Sequence, residues 1–140
     1  MLRKKGRYIL ALLIILFIWS YFHKKSEFKK LLTNNLNTLI DSIRVQDYFK
    51  ISNQLDSNNS KIIPLDKIKE FSQNLQIDSG FKLKIDDYED NKLIGKIKDN
   101  SKEHNFTILY KEENNTIKYS YIKIDNNELK APILQFPIKE

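Results

Sequence analysis

HNFTILYKEENNTIKYSYIKI, residues 104 to 124, alternates between apolar and polar side chains on both sides of a polar interruption. Phe106, Ile108 and Tyr110 fall on one face of an extended chain, and Asn105 falls on the other. A period of two is typical of strands that place one face against a core and the other in water. The stretch therefore predicts two antiparallel strands joined by a polar turn.

The same alternation extends toward the N-terminus, so that four strand candidates follow one another with polar turns between them. In the last candidate Ile117, Tyr119 and Tyr121 share one face whereas Ile122 lies on the other, which predicts a β-bulge near Tyr121. A meander with one dry face requires helices to cover that face. The candidates are FKLKI at 81 to 85, KLIGKIK at 92 to 98, HNFTILYK at 104 to 111 and TIKYSYIKI at 116 to 124.

Helical periodicity precedes the strands. Apolar residues step by three or four through residues 26 to 43, which predicts an amphipathic helix. The pattern restarts in a different phase after Arg44 and predicts a break there, followed by a second short helix. The first stripe is Phe28, Leu32, Leu36, Leu39, Ile40 and Ile43, and the second is Val45, Tyr48, Phe49, Ser52 and Leu55.

A loop and a third helix are predicted next. SNNSK at 57 to 61 is polar throughout and is predicted to be a loop. Pro64 at a first-turn position, with Asp66 close behind, predicts the start of a helix that ends before Gly80. This helix, PLDKIKEFSQNL, is predicted to bury Leu65, Ile68, Phe71 and Leu75.

Residues 8 to 22, YILALLIILFIWSYF, carry no charge and lie between two basic clusters. As a helix they span about 22 Å, which is short for a hydrocarbon core of about 30 Å unless flanking basic side chains snorkel and the bilayer thins. We interpret the run as a transmembrane signal-anchor, because residues 19 to 22 are mostly bulky where a signal peptidase prefers small residues. A cleaved signal and a buried soluble helix are the alternatives. The anchor positions are Tyr8, Leu12, Leu16, Trp19 and Phe22, and the membrane flanks are Arg3, Lys4, Lys5, Arg7, Lys24 and Lys25.

The orientation of this segment depends on the basic residues around it. Four precede the run and four follow closely, so the positive-inside rule nearly ties. A hydrophobic segment this close to the start of the sequence is typical of a signal-anchor that moves the chain behind it across the membrane. We therefore expect a cytoplasmic tail and an extracytoplasmic domain.

The net charge of +6 is confined to the membrane flanks. Residues 1 to 25 hold six of the 24 Lys and Arg and no acid, whereas residues 26 to 140 hold 18 basic and 18 acidic residues. Basic flanks are suited to anionic lipid head groups. No Arg follows Arg44 to make bidentate contacts with bases or phosphates. We expect a membrane as a partner and no nucleic acid.

Metal and cofactor sites are not predicted. The chain has no Cys and two His, which excludes disulfides, thiolate ligands and a His-rich metal site. The acidic cluster between the first two strand candidates could chelate Ca²⁺, but no Gly lies inside it to turn the loop. We interpret that cluster, Asp86, Asp87, Glu89 and Asp90, as a solvated hairpin turn.

Other candidate side chains have two readings each. His104 beside Glu103 is interpreted as solvated, with an acid–base pair as the alternative. The tail APILQFPIKE at 131 to 140 is either folded onto the sheet or an exposed docking peptide. Three tyrosines are interpreted as core and cross-strand packing, or as the mouth of a pocket with Asp47. The residues of this possible pocket or partner surface are Tyr110, Tyr119, Tyr121, Leu134 and Phe136.

VQDYFKISNQLDS, IPLDKIKEFSQNL and LIGKIKDNSKEHNFTILYKEENNTIKYSYIKI together give the order helix, short helix, loop, short helix and antiparallel meander. With this order, residues 28 to 124 resemble the cystatin-like folds of the nuclear transport factor 2-like superfamily, as small extracytoplasmic domains on a membrane anchor. Lys118-Tyr119 stands where that family commonly has Trp-Lys. The resemblance implies a scaffold role in secretion or conjugation assemblies, and no catalytic residue of the family maps onto this chain.

A second resemblance is to type IV pilins and pseudopilins. A basic leader ending in Gly6, an apolar run that continues into an amphipathic helix, and a C-terminal meander are all similar to those subunits. Arg7 follows the Gly in place of an apolar residue, and Ala11 stands where the acidic residue of the assembly motif belongs.

These observations predict an α+β protein in which an N-terminal transmembrane helix continues into amphipathic helices packed on a four-stranded antiparallel β-meander. Its parts are a basic tail and signal-anchor at 1–25, an extracytoplasmic domain at 26–130 and a Pro-containing apolar tail at 131–140. We expect a single-pass membrane protein, not an enzyme, that binds another envelope protein, as a secretion or assembly accessory. The alternatives are a small-ligand-binding or enzymatic pocket domain and a pilin-like or pseudopilin-like subunit.

Overall fold

The computed structural model describes residues 2 to 100 and 102 to 131, in which four α-helices are followed by a five-stranded antiparallel sheet. This confirms the predicted α+β class. The chain divides into two compact units, Met1–Asn34 and Asn35–Glu140. The helices are α1 (Leu2–Arg44), α2 (Tyr48–Gln54), α3 (Ser57–Ile62) and α4 (Leu65–Gln73), and the strands are β1 (Lys82–Asp87), β2 (Lys92–Lys98), β3 (Glu103–Glu113), β4 (Thr116–Ile124) and β5 (Asn127–Leu129).

The first unit lies within α1, and its apolar side chains from Tyr8 to Phe22 are exposed, whereas Leu32 near its end is buried. No residue of the apolar run at 8 to 22 is buried, and all five predicted anchor positions are exposed. Trp19 stacks on His23 with 5.1 Å between ring centroids, and His23 pairs with Glu27 at 2.9 Å. Among the described residues one helical stretch, Lys5–Arg44, is long and apolar enough to cross a membrane, and a signal sequence fits the same length and composition.

The second unit has a core of its own, to which α1, α2, α4 and one face of the sheet contribute. Leu36, Leu39, Ile40 and Ile43 of α1 are fully buried, as their spacing predicts. The predicted break near Arg44 is confirmed. Helix α1 ends at that residue, and the chain then turns through Gln46, whose φ of 60° is in the left-handed region.

The predicted apolar stripe at 45 to 55 is right at Leu55, which is 3% exposed, and wrong at two other positions. Val45 and Phe49 are exposed, Phe49 by 71%, and Ile51 is the buried residue of the helix. The N-cap explains the difference. Asp47 is the N-cap and accepts a 3.2 Å hydrogen bond from the Lys50 amide, so α2 begins at Tyr48. Val45 therefore precedes the helix and cannot set its phase.

The predicted loop at 57 to 61 is also wrong, since these residues belong to α3. Asp56 caps the helix by accepting a 2.7 Å hydrogen bond from the Asn59 amide. The helix is short and almost entirely polar, so it has no apolar period to reveal it in the sequence. Its buried residue is Asn59.

Helix α4 follows its prediction in most respects. Pro64 is the N-cap, Ile68 and Phe71 are buried within the helix, and Leu75 is buried just beyond its end. The prediction that Leu65 is buried is wrong, because Leu65 is the first helical residue and remains 42% exposed. The buried face begins one turn later, at Ile68.

The sheet has the order β1-β2-β3-β4-β5, each strand antiparallel to the next. The four predicted strands are present, but the prediction of a four-stranded sheet is wrong, because β5 adds a fifth. Ile122 pairs with Leu129 and Ile124 pairs with Asn127 across the β4–β5 turn. Three residues are too few for a period of two to be recognised in the sequence.

The hairpin of β3 and β4 shows both predicted features. Asn114 and Asn115 connect the strands with φ values of 51° and 63°, which a two-residue type I′ turn requires at both positions. The predicted bulge near Tyr121 is confirmed, because Tyr119 and Tyr121 pair with consecutive residues of β3 and Ser120 is left over. The extra residue allows side chains before and after it to face the same core.

Gly95 allows β1 to lie close against β2. A Cβ atom at this position would overlap the carbonyl oxygen of Lys84 and would lie 2.7 Å from the Phe106 ring. Ile85 lies opposite Gly95, and the register shifts by one residue directly after it, before Asp87. The glycine therefore fixes how the lysines of β1 stand beside those of β2.

Candidate interaction surface

The face of the sheet that points away from the core brings four lysines together. Lys82 lies opposite Lys98, and Lys84 lies opposite Lys96, on neighbouring strands β1 and β2. In each strand the two lysines are two residues apart, so all four share the outward face. We call these four residues the lysine cluster.

Two carboxylates accompany the lysine cluster. Lys96 Nζ lies 3.0 Å from Glu103 Oε1, and Lys98 Nζ lies 4.0 Å from the other oxygen of Glu103. Lys84 Nζ lies 3.9 Å from Asp86 Oδ1. In the described part of the chain no ion pair within 4.0 Å reaches Lys82. The cluster thus has an excess of positive charge, and it is open to solvent, with the Lys84 and Lys98 side chains 70% and 61% exposed.

The pair of Lys96 and Glu103 is the strongest interaction in this cluster. Their hydrogen bond, assisted by their mutual attraction, raises the pKa of Lys96 and lowers the pKa of Glu103. Both groups are therefore charged at neutral pH. Because both are exposed, the pair orients the side chains more than it stabilises the fold.

Apolar side chains lie next to the lysine cluster on the same outward face. Leu109 is 38% exposed and lies opposite Tyr121, while Ile94 lies opposite Thr107. Partial burial and the neighbouring Glu128 raise the pKa of Tyr121. This face therefore combines a charged corner with a small apolar centre, a composition that suits contact with another macromolecule.

The three predicted pocket tyrosines do not converge on one site. Tyr110 is buried and donates a 2.9 Å hydrogen bond to the Tyr88 carbonyl, and burial raises its pKa. Tyr119 is 1% exposed, burial raises its pKa strongly, and its hydroxyl has no hydrogen-bond partner among the described residues. Tyr121 lies on the outward face instead. Asp47, the fourth candidate, caps α2.

Three solvent-open grooves lie on the second unit, with volumes of about 280, 490 and 210 Å³. None of them is lined by Tyr110, Tyr119, Tyr121 or Asp47. The 490 Å³ groove is lined by Asn105, Thr107, Lys123, Asp125 and Asn126, all of them polar. Polar, open grooves differ from the apolar concave sites that hold small ligands.

The prediction that His104 is solvated is wrong. It is 6% exposed, not solvated. Its Nδ1 lies 2.6 Å from Asp125 Oδ2, and its Nε2 lies 3.4 Å from Asp99 Oδ2. Its neighbour Glu103 faces outward, so the two do not form an acid–base pair. The alternation of the strand could have predicted this burial, because His104 is two residues from Phe106 and lies on the same inward face.

The histidine joins two turns of the sheet. Asp99 also accepts a 2.7 Å hydrogen bond from the Lys102 amide in the β2–β3 turn. Asp125, in the β4–β5 turn, accepts a 3.0 Å hydrogen bond from the Asn105 amide. Both ring nitrogens of His104 therefore contact carboxylates, one in each turn. The arrangement therefore favours a fastening role over an acid–base role.

A second polar network, which the sequence did not predict, holds α3 to the sheet. Asp56 is 3% exposed, and its Oδ2 lies 3.1 Å from Lys111 Nζ of β3. Lys111 also contacts Glu113 at 3.3 Å, and Glu113 accepts a 3.2 Å hydrogen bond from the Ser57 amide. The hydrogen bonds to Asp56 and Glu113 raise the pKa of Lys111. Every charge in this network has a partner, which favours a structural role for these residues.

Two residues of the acidic cluster, Glu89 and Asp90, lie in the β1–β2 turn, as predicted, in a 3₁₀ turn at Glu89–Asn91, whereas Asp86 and Asp87 are the last two residues of β1. Within residues 2 to 100 and 102 to 131, no group of three or more His, Asp or Glu side chains could hold a metal ion. Two predicted regions lie outside the described side chains. They are the flank residues Arg3 and Lys4, and the tail residues Leu134 and Phe136.

No protein-family model, no curated protein and no solved structure matches this chain.

Proposed function

We propose that the protein is a single-pass membrane protein whose α+β domain lies outside the membrane and binds another protein of the cell envelope. The observation that carries the proposal is that the apolar run at 8 to 22 is exposed, while the second unit has a buried core of its own. Leaving large apolar side chains in water is unfavourable by about 25 cal/mol per Å². A bilayer removes that surface from water.

Retention of the apolar run as an anchor is favoured over its removal as a signal peptide. Trp19, Tyr21 and Phe22 are bulky at the end of the run, where a signal peptidase needs small side chains. Basic residues flank both ends and can reach the head groups. The intact chain should therefore stay in the membrane fraction after alkaline extraction, and a chain shortened by about its first 22 residues in cells would contradict the anchor.

The side of the membrane can be tested directly because the chain contains no Cys. Lys61→Cys on exposed α3 and Lys5→Cys before the run each provide a single thiol. We expect a membrane-impermeant maleimide to label Lys61→Cys in intact cells and Lys5→Cys only after permeabilisation. The opposite pattern would place the domain in the cytoplasm and refute the proposed topology.

Interaction is proposed in preference to catalysis. The outward sheet face presents the lysine cluster beside Leu109 and Tyr121, whereas the pocket candidates are separated and line none of the three grooves. Both nitrogens of His104 face carboxylates, which favours a structural role for this histidine. We further propose that the domain is a cystatin-like, nuclear transport factor 2-like scaffold, on the order of its helices and strands.

A pilin-like subunit is the second candidate, favoured by one observation. Helix α1 is continuous from the apolar run into the amphipathic stretch that ends at Arg44. A pilin-like subunit would leave the membrane in filaments that can be sheared from cells and sedimented. An envelope scaffold would remain in the membrane fraction under the same treatment.

A further inference from the structure

The lysine cluster is a costly arrangement for a sheet. Like charges directly opposite each other on neighbouring strands are destabilising, and here two such pairs, Lys82 with Lys98 and Lys84 with Lys96, lie side by side. Composition does not force this, since residues 26 to 140 hold equal numbers of acidic and basic residues. The clustering therefore calls for a reason beyond the stability of the free domain.

Protection of the sheet edge against unwanted strand pairing explains only the two lysines of β1. Strand β1 is an edge strand, paired with β2 on one side, and lysines on an edge discourage unwanted strand pairing. Lys96 and Lys98 stand on β2, which is covered by strands on both sides and needs no protection. Their position opposite Lys82 and Lys84 adds repulsion without guarding an edge.

We propose that the lysine cluster and the outer edge of β1, which pairs with no other strand of the described sheet, bind an extended acidic segment of a partner protein. This deepens the proposed role as an interaction module, on which it rests. A segment that added to β1 as a strand would place every second side chain on the outward face, about 5 Å from the lysines of β1. Asp or Glu at those positions would neutralise Lys82 and Lys84, and the neighbouring Lys96 and Lys98 would add longer-range attraction.

A peptide fits this surface better than the other anionic polymers. The edge of β1 offers backbone donors and acceptors, which only another polypeptide strand can match along its length. The lysines alternate with the period of two that an extended acidic segment also has. Nucleic-acid contacts commonly use Arg, and the second unit contains Arg44 alone, at the end of α1.

The test uses the full chain in nanodiscs of zwitterionic phosphatidylcholine. The probe is a fluorescent peptide of alternating Glu and Val, about ten residues long, and its control carries Gln in place of Glu. We expect the Glu peptide alone to bind and the affinity to fall as salt is raised. Amide resonances of β1 should shift on binding, because a partner strand bonds to that edge.

Matched lysine variants locate the binding. Lys82→Gln with Lys84→Gln should weaken binding of the Glu peptide about 3- to 30-fold. Lys61→Gln with Lys69→Gln removes the same charge from exposed sites on α3 and α4 and should change it less than about twofold. The first pair should fold normally, because it relieves repulsion between lysines and removes only the exposed ion pair of Lys84 with Asp86. Lys96→Gln with Lys98→Gln provides a second test on the inner strand.

Other results would overturn the inference. Equal binding of the Glu and Gln peptides, or binding that survives both cluster variants, would do so. Binding to phosphatidylglycerol vesicles that depends on Lys82 and Lys84, without peptide binding, would assign the cluster to lipid head groups. Self-association with the same dependence would assign it to a second copy. The membrane labelling described above is independent of all these results, so it separates failure of this inference from failure of the proposed function.

Discussion

At the scale of single residues, Tyr119 carries a polar group that the core does not satisfy. Its hydroxyl is buried without a partner among the described residues, and such a group costs about 1–3 kcal/mol. We expect Tyr119→Phe to keep the ring packing and to leave the free energy of unfolding unchanged or raised by up to about 1 kcal/mol. Urea denaturation measures the change. A clear loss of stability would mean that the hydroxyl makes a hydrogen bond after all.

Tyr110 provides the matched control, because its hydroxyl does have a partner. It donates a 2.9 Å hydrogen bond to the carbonyl of Tyr88 in the β1–β2 turn. Tyr110→Phe should lower the free energy of unfolding by about 0.5–1.5 kcal/mol. The two tyrosines differ in the sign of the expected effect, so a general consequence of removing a phenol oxygen would appear in both variants alike.

Glu103 should respond to the loss of its lysine partner. Its pKa lies below the ordinary value, chiefly because of the hydrogen bond from Lys96. A carboxyl whose folded-state pKa is lowered contributes stability at neutral pH, and this contribution is lost as the pH falls through the folded-state pKa. We expect Lys96→Met to raise the pKa of Glu103 toward its ordinary value in an NMR titration of the carboxyl carbon. An unchanged titration would show that the pair does not persist in solution.

At the scale of elements, the His104 cluster joins the β2–β3 turn to the β4–β5 turn. His104→Leu would leave the Asp99 carboxylate, whose side chain is 2% exposed, without its imidazole partner. Asp99 keeps its hydrogen bond from the Lys102 amide, so loss of the imidazole should lower the free energy of unfolding by about 2–3 kcal/mol, below the range for a fully buried pair because Asp125 is 39% exposed. Hydrogen exchange should accelerate first in the two turns.

A matched variant distinguishes loss of packing from loss of the polar contacts. Leu93 is fully buried on the same inward face, on β2, and has no polar contact to lose. Leu93→Ala should destabilise by about 2–5 kcal/mol through a cavity alone. It should leave exchange at Lys102 and Asn105 no faster than at other amides of the sheet. If His104→Leu also left exchange at Lys102 and Asn105 no faster than elsewhere in the sheet, the histidine would contribute packing and would not hold the two turns together.

An element could be predicted from the sequence when the pattern that identifies it lies within the element itself. The β3–β4 hairpin could be predicted, because its alternation, its Asn-Asn turn and its phase change at the bulge are all local. Helix α3 carried no apolar period, and β5 is three residues long. The setting of His104 depended on Asp125, which lies 21 residues away and meets it only in the folded sheet.

The lysine cluster could not be predicted from the sequence, because it depends on how two strands pair. Alternation placed Lys82 and Lys84 on the outward face, but their neighbours depend on register. The pairing of β1 with β2 fixes that register, and Gly95 allows the close approach of the strands. A shift of one residue would have moved the lysines of β2 to the core. The cluster therefore became visible only in the paired sheet.

At the scale of the whole molecule, the charge and the apolar surface separate along the chain. The apolar run and its basic flanks lie in residues 1 to 25, whereas residues 26 to 140 are formally neutral and include the buried core. No residue between 8 and 22 is buried, so the run contributes nothing to that core. Removal of residues 1 to 25 should therefore leave a domain that folds in water without detergent.

This expectation is checked by expressing residues 26 to 140 alone. The shortened chain should unfold cooperatively on heating, remain monodisperse and no longer float with liposomes, whereas the full chain should float. Leu36→Asp, which places a charge in the core, is the matched control, since it should abolish cooperative unfolding in either length of chain. Aggregation of the shortened chain with native-like stability in the full chain would show that the apolar run belongs to the fold. In that case the run would be a core helix, and the proposal of a membrane anchor would be wrong.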